Sequence, residues 1–259
     1  YIKPVLGEDE IKSNGCIKIN YDDTSNMVFG ENLYESDFKN KVYISSSEKI
    51  KSFTGDKKFF LGSGGMSNPD GLKKIRLNNS TGFGKESCIA IQIEIELDSM
   101  SSKEIILNLG ACDNIIDGKN IAYKYSKIQN CKQELDLVKR KWKDILERLQ
   151  VYTPIESINI MLNGWALYQT ISSRLYGRTG FYQSGGAYGF RDQLQDTLCL
   201  KYIKPEMIKN QIIKHSKHQF IEGDVEHWWH EETKRGIRTR FSDDLLWLVY
   251  LTEEYIEAV

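Results

Sequence analysis

The spacing of apolar residues changes once along this chain, and that change limits what it can fold into. In the first part the spacing is two. Ile89, Ile91, Ile93, Ile95 and Leu97 alternate with Ala90, Gln92, Glu94 and Glu96, which predicts a strand with its isoleucines on one buried face. Ile105, Leu107 and Leu109 repeat the pattern against Ile106 and Asn108, and Asn26 to Phe29 and Lys41 to Ile44 are shorter candidates. Turn sequences separate them: Asp22-Asp23, Asn68-Pro69-Asp70-Gly71 and Gly82-Phe83-Gly84. Residues 1–117 therefore read as sheet packed on sheet rather than as βαβ units.

From Cys131 the spacing becomes three and four. Leu135, Val138, Trp142, Ile145 and Leu149 predict a helix to Gln150, stopped by Thr153-Pro154. A second stripe, Ile158, Leu162, Trp165, Tyr168 and Leu175, runs to Gly177, with Trp165 and Tyr168 on the buried side. A third helix is expected to begin near Arg191 and to run through Leu198 and Leu200 towards Lys204. Pro205 opens a fourth, carrying Ile208, Ile212 and Ile213, which fades in the polar run His215 to Gln219. The class is α+β: a sheet region followed by an all-helical one.

The chain carries 35 basic and 36 acidic residues, which gives no electrostatic case for nucleic acid or an anionic membrane. No apolar run approaches the roughly 20 residues that span a bilayer. Five scattered cysteines, at 16, 88, 112, 131 and 199, show neither a disulfide framework nor metal spacing. Buried free thiols and a cytoplasmic location are the expectation. The sequence starts at Tyr1, which leaves open an upstream signal removed before it. Gly62-Ser63-Gly64-Gly65 lacks the Gly-Lys-Ser/Thr that a phosphate loop needs.

Chemistry concentrates between Phe181 and Asp196, which reads FYQSGGAYGFRDQLQD. Gly185, Gly186 and Gly189 make its first half a loop. Asp192 and Asp196 are four apart and share a helix face. Arg191 is a five-donor fork and Asp192 accepts only, so the pair can grip a polyhydroxylated molecule, or simply form a local salt bridge. All four histidines, His215, His218, His227 and His230, lie within sixteen residues, but His227-Trp228-Trp229-His230 lacks HExxH order and is not read as a metal site. On an extended segment Trp228 and Trp229 point oppositely, one inward and one towards a cleft where an indole can carry a sugar ring. Arg235, Arg238 and Arg240 can bind phosphate or sugar hydroxyls, or pair with Asp243 and Asp244. Ser242 is the expected N-cap of a last helix, with both aspartates in its first turn.

Four blocks in order, NGWALYQT (Asn163 to Thr170), GGAYGFRDQLQD (Gly185 to Asp196), FIEGDVEHWWH (Phe220 to His230) and RTRFSDDLLWL (Arg238 to Leu248), carry a resemblance to glycoside hydrolase family 94, the inverting disaccharide and oligoglucan phosphorylases. It is strong from about Lys124 to Val259 and weaker before. The resemblance implies a β-sandwich portion over 1–117, a helical linker over 118–153 and the first helices of an (α/α)6 catalytic barrel over 154–259, so that the chain is a fragment of a longer enzyme. It implies reversible phosphorolysis of β-1,2- or β-1,3-glucan oligosaccharides to α-glucose 1-phosphate, with inorganic phosphate as co-substrate and no cofactor. The family's general acid is an aspartate in a Trp-Asn-Asp motif that does not occur here. No catalytic role therefore falls to Asp192, Asp196, Asp243 or Asp244, and the isolated chain is expected to be inactive.

By motif matching, Arg191 and Asp192 resemble the pair that holds the sugar upstream of the scissile bond, with Asp196 in support; Trp228 and Trp229 are counted with the substrate site for their indole faces. Related sequences place a phosphate-linked arginine near Ser184. Here that stretch is Ser184-Gly185-Gly186, which leaves phosphate to Arg238, Arg240 or residues outside the chain. Many family members carry histidine where Leu245 stands. A homodimer is a weak implication. Three alternatives stay open: the phosphorylase-like region of a cyclic β-1,2-glucan synthase, a non-catalytic sugar-binding module, and a metal-dependent hydrolase.

Overall fold

Alternation builds the first unit. The computed structural model describes residues 1–7, 10–34, 39–177, 186–231 and 233–259, and the chain divides into two units, Tyr1–Asp136 and Leu137–Val259. In the first, strands β1 (Ile17–Asp22), β2 (Met27–Asn32), β3 (Lys41–Ser46), β4 (Ile50–Asp56), β5 (Ser87–Ile93) and β6 (Leu107–Cys112) form two antiparallel sheets. One has the order β1-β2-β3-β6 and the other is the pair β4-β5. The sheets face each other across Ile17, Ile19, Val28 and Ile44 on one side and Ile50, Phe53 and Ile89 on the other, a sandwich-like core. The opposite face of the larger sheet receives the helix Ile115–Tyr125, whose Ala122 packs on Met27 and Tyr43.

Residues 79–82 stitch the sheets together. Asn79 N–H donates to Phe53 C=O, Gly55 N–H to Ser80 C=O and Ile19 N–H to Thr81 C=O, at 2.7–2.8 Å. The approach is so close that a Cβ on Gly82, whose φ is +66°, would lie 2.0 Å from the Gly55 carbonyl oxygen.

Two expectations fail here. The alternation through Leu97 does not stay in the sheet, because β4 begins at Ile50, which pairs with Ile93. Beyond that pair no partner strand lies among the described residues, and Ile95 and Leu97 are exposed. Leu107 and Leu109 do lie in a strand, but they point to solvent. Among the described residues their strand β6 bonds only to β3, at the edge of the sheet, whereas β4 and β5 pack over β1 and β2. The Gly62–Gly65 loop is closed by protein: Ser63 N–H donates to the Asp70 carboxylate at 3.0 Å.

The second unit is helical around a small sheet. The helix Ile128–Leu146 crosses the division at residue 136, and Trp142, Ile145 and Leu146 of its second half enter the second core. Leu135, Val138 and Leu149 of the expected stripe are exposed. Residues 156–176 are one continuous helical run, but two stretches, Met161–Trp165 and Thr170–Tyr176, are π-helical. A π turn closes on i+5, so a stripe spaced by three and four drifts off one face. Leu167 and Ile171 are buried instead, whereas Ile158, Leu162 and Trp165 point outward and Tyr168 tilts against Trp142 with ring centroids 4.9 Å apart.

The helix Phe190–Thr197 tightens into a 3-10 turn at Leu198–Leu200, short of the expected continuation to Lys204, and is followed by the helices Pro205–Ser216 and Asp244–Ala258. Phe190, Leu194, Leu200, Ile208, Trp229 and Leu251 centre the core. No helix among the described residues is long and apolar enough to cross a membrane. All five cysteines are free thiols, but of the five only Cys88 is buried and Cys199 is exposed, so the expectation of buried thiols holds for one.

Candidate functional site

A three-stranded sheet that the periodicity did not announce holds the site. Strands β7 (Tyr188–Gly189), β8 (Glu226–His230) and β9 (Arg235–Arg238) run antiparallel with β8 central. The two tryptophans of β8 separate as a pleat requires. Trp229 is 1% exposed, stacked on Tyr188 and on His218. Trp228 lines an open cleft of about 1010 Å³. Its ladder is irregular: Glu226 opposes Arg238 but Trp228 opposes Ile237, so His227 is the extra residue of a β-bulge. His227 and Trp229 are two apart and would share a face in a regular strand. The bulge turns His227 into the cleft instead. The neighbouring strand must come close, and a Cβ on Gly236 would lie 1.9 Å from a Glu226 carboxylate oxygen and 2.7 Å from the Trp228 carbonyl oxygen.

The start of the helix Phe190–Thr197 forms another wall. Gly189 N–H donates to the buried Gln193 amide oxygen at 2.5 Å, which fixes the first turn. His215 is fully buried edge-on to Phe190 and Trp229, with Nδ1 2.9 Å from Gln211 C=O and Nε2 3.3 Å from Gly189 C=O. Burial pushes its pKa down to about 4, so the core holds a neutral imidazole. The polar run expected from His215 thus begins with a core residue.

Arg191 and Asp192 both line the cleft, though not as a pair. The Arg191 Nη1 donates to Asp243 Oδ2 at 2.8 Å, which holds the Asp243 carboxyl below its ordinary range. The Asp192 carboxylate has no hydrogen bond or ion pair among the described residues. Asp196 faces Arg174, whose Nε lies 2.7 Å from Oδ2. Burial raises its pKa against the pull of that arginine. Of the remaining candidates Trp228 is in the cleft and Trp229 is in the core. Arg238 spends its fork on Asp224, at 2.5 and 2.6 Å, and on Glu222 at 3.1 Å, over the Phe220 ring. Arg240 is exposed, and neither arginine is part of the cleft wall. The Phe181 to Gly185 part of the glycine loop, with Ser184 and Gly185, lies outside the described residues.

Another hydrogen-bonded side-chain pair in the cleft escaped the sequence reading. His227 Nδ1 lies 2.6 Å from Oδ2 of Asp244, a carboxylate 5% exposed, and its ring stacks on Phe241 at 4.5 Å. The last helix starts at Asp244 with Asp243 at the cap position. Asp243, in the place expected for Ser242, makes no side-chain capping hydrogen bond; its carboxylate accepts from Arg191, and that of Asp244 pairs with His227. Leu245 packs against the core. Among the described residues no three His, Cys, Asp or Glu side chains gather as metal ligands. His218 is bound to Glu226 at 2.7 Å and His230 stands edge-on to Trp228. The cleft thus combines an unpartnered carboxylate, a half-exposed guanidinium, an indole and an oriented imidazole, a set suited to a neutral polyol.

Comparison with known proteins agrees on both units. Residues 1–128 match the glycosyl hydrolase 94 supersandwich domain, and residues 141–259 match the catalytic domain of the glycosyl hydrolase 94 superfamily. The chain is 31% identical over 258 residues, 98% of its length, to the cyclic beta-(1,2)-glucan synthase NdvB of Rhizobium meliloti (strain 1021), of which it covers 9%. It is 24% identical to the N,N'-diacetylchitobiose phosphorylase of Vibrio proteolyticus over 85% of its length, and 23% identical to that of Vibrio furnissii over 87%. It spans 31% and 32% of those two proteins.

Proposed function

This chain belongs to the glycosyl hydrolase 94 superfamily of carbohydrate-active enzymes, and from that premise we propose that its cleft holds the sugar of an inverting glycoside phosphorylase acting on β-1,2- or β-1,3-glucan oligosaccharides. The observation that carries this reading is the Asp192 carboxylate, unpartnered among the described residues, in a cleft shared with Arg191 and Trp228. A carboxylate accepts two or more hydroxyl donors, the free prongs of the Arg191 fork donate to ring and hydroxyl oxygens, and the indole covers an apolar sugar face. In the proposed reaction phosphate attacks the anomeric carbon from the face opposite the leaving oxygen, which takes a proton from a carboxylic acid. An inverting hydrolase would need a second carboxylate to activate water. In a phosphorolysis phosphate is itself the nucleophile, and the product is α-glucose 1-phosphate. Asp196, Asp243 and Asp244 are occupied by Arg174, Arg191 and His227, and none is assigned the proton-donor role.

The phosphorylase names of two relatives support phosphate as co-substrate. The synthase name of a third, similar over 98% of the chain, supports β-1,2 linkage and keeps a second reading, the phosphorylase-like region of a cyclic β-1,2-glucan synthase. Five free thiols support the cytoplasm.

The test is Asp192→Asn in the full-length protein, with thermal unfolding and release of glucose 1-phosphate from sophorose and laminaribiose measured together. Losing a charged hydrogen bond to a hydroxyl costs about 1.5–3 kcal/mol, or roughly 10- to 150-fold in kcat/KM, and the folded variant should show that loss with Tm unchanged. Wild-type kcat/KM in a folded variant removes Asp192 from the sugar site. Preference for sophorose selects the β-1,2 reading. A protein that binds sophorose but releases no glucose 1-phosphate is not a phosphorylase.

A further inference from the structure

We infer that His227 is a second hydroxyl-accepting group of the cleft, and so a specificity-determining residue for the sugar. This rests on the cleft being the sugar site. Asp244 is the partner of Nδ1, at 2.6 Å, and its carboxylate is 5% exposed. A carboxylate only accepts, so Nδ1 carries the proton, and in the neutral ring Nε2 is left with a lone pair. Among the described residues Nε2 has no partner, and His227, its side chain 34% exposed, lines the cleft.

Two further features hold this ring for a ligand rather than for the fold. Phe241 stacks on it with an interplanar angle of 23°, which fixes the ring plane. The bulge in β8 takes the side chain out of the core face that its place two residues before Trp229 would give it. A bulge costs ladder hydrogen bonds and is found where a side chain must be re-aimed. A histidine needed only to pair with Asp244 would not require the far nitrogen to lie open. With Asp192 on one wall and Nε2 on another, the cleft offers two acceptors beside the Arg191 donor. That arrangement selects a ligand rich in donating hydroxyls, an unmodified hexose, over one whose hydroxyls are alkylated or oxidised to carboxylate.

The experiment uses the full-length protein, as for Asp192, with glucose as probe. Histidine nitrogen NMR should show His227 as the Nδ1–H tautomer, with the Nε2 resonance moving as glucose saturates the cleft. His227→Asn keeps an amide N–H for Asp244 but lacks the far nitrogen, and it should bind glucose roughly 3- to 10-fold more weakly. Where that variant fails to fold, the wild-type titration reads the same contact without a substitution. The inference is overturned if glucose binds with the Nε2 resonance unmoved, or if folded His227→Asn binds as tightly as wild type while Asp192→Asn does not. That second result would leave the sugar site standing without His227. A wild-type chain that does not bind glucose overturns the sugar-site reading, and this inference with it.

Discussion

The two units spend their charges differently. Up to Asp136 the sequence holds one arginine, Arg76, and no histidine. Lysine makes the ion pairs there, as in Lys49–Asp23, Lys57–Glu86 and Lys85–Asp56, on the outside of a sandwich-like core. From Leu137 onward the carboxylates Asp196, Asp224, Asp243 and Asp244 are met by arginine forks or an imidazole. A lysine ammonium is a mobile point charge, suited to solvating a surface. A guanidinium or imidazole fixes direction as well as charge. The residue types alone thus mark which unit needs oriented polar groups, and the cleft lies in that unit.

The sharpest way to break this comparison is to treat the adjacent tryptophans alike. Trp229→Ala removes a fully buried side chain and should cost the helical unit about 3–5 kcal/mol in chemical denaturation. Trp228→Ala, at a partly buried ring, should cost clearly less stability than Trp229→Ala while weakening sugar binding in calorimetry. Equal stability losses would mean that both rings are structural.

Acid should separate the units next. The His215 pKa is about 4 in the fold against 6.5 as a free side chain, so the unfolded chain takes up the extra proton. Its stabilising contribution is whole above pH 6.5 and is lost as pH falls towards 4, by up to about 1.4 kcal/mol per pH unit. The five tryptophans all lie after residue 137, so their fluorescence follows this unit alone. In the sheet unit Lys57 and Lys73 hold the carboxyls of Glu86 and Asp70 below their ordinary 4.5 and 3.8, so that stability should be lost only at lower pH. His215→Gln should flatten the tryptophan-reported slope, and a slope unchanged in that variant would assign it elsewhere.

Arg191→Lys should weaken sugar binding several-fold, since a point charge cannot replace the fork, with little change in Tm because its pair with Asp243 is half exposed. The smallest effect belongs to the sheet unit: Lys49→Met should leave Tm where it is. A clear drop there would show that the lysine pairs are more than surface decoration.

Much of this was legible in the sequence where neighbours along the chain decide the outcome. Period two found the β5 ladder at Ile89 and Ile91 and the opposed tryptophans of β8. It misjudged Leu107 and Leu109 because burial of a strand face depends on what lies across it, and β6 sits at an edge. The Ile158 to Tyr168 stripe failed because nothing local announces a turn closed on i+5. Asp243 and Asp244 have a sufficient local explanation as first-turn acids, which concealed their long-range partners Arg191 and His227. Arg238 likewise finds its carboxylate in Asp224, fourteen residues away, rather than in Asp243 or Asp244.

The irregularity in β8 has a wider consequence. A strand sorts its side chains by odd and even, so whatever follows a bulge has its parity reset. Chemical identity at position 227 and residue count up to it are then separate requirements. A histidine codon supplies the imidazole, but only one tally of residues between Glu226 and Trp228 delivers it to the cleft. Removing one residue from that stretch would leave nearly the same composition and a more regular ladder, yet the wrong ring would face the solvent. For this protein a single-residue deletion should therefore be harsher on the site than most substitutions, and alignments that slide a gap through the stretch would pair side chains that face opposite ways.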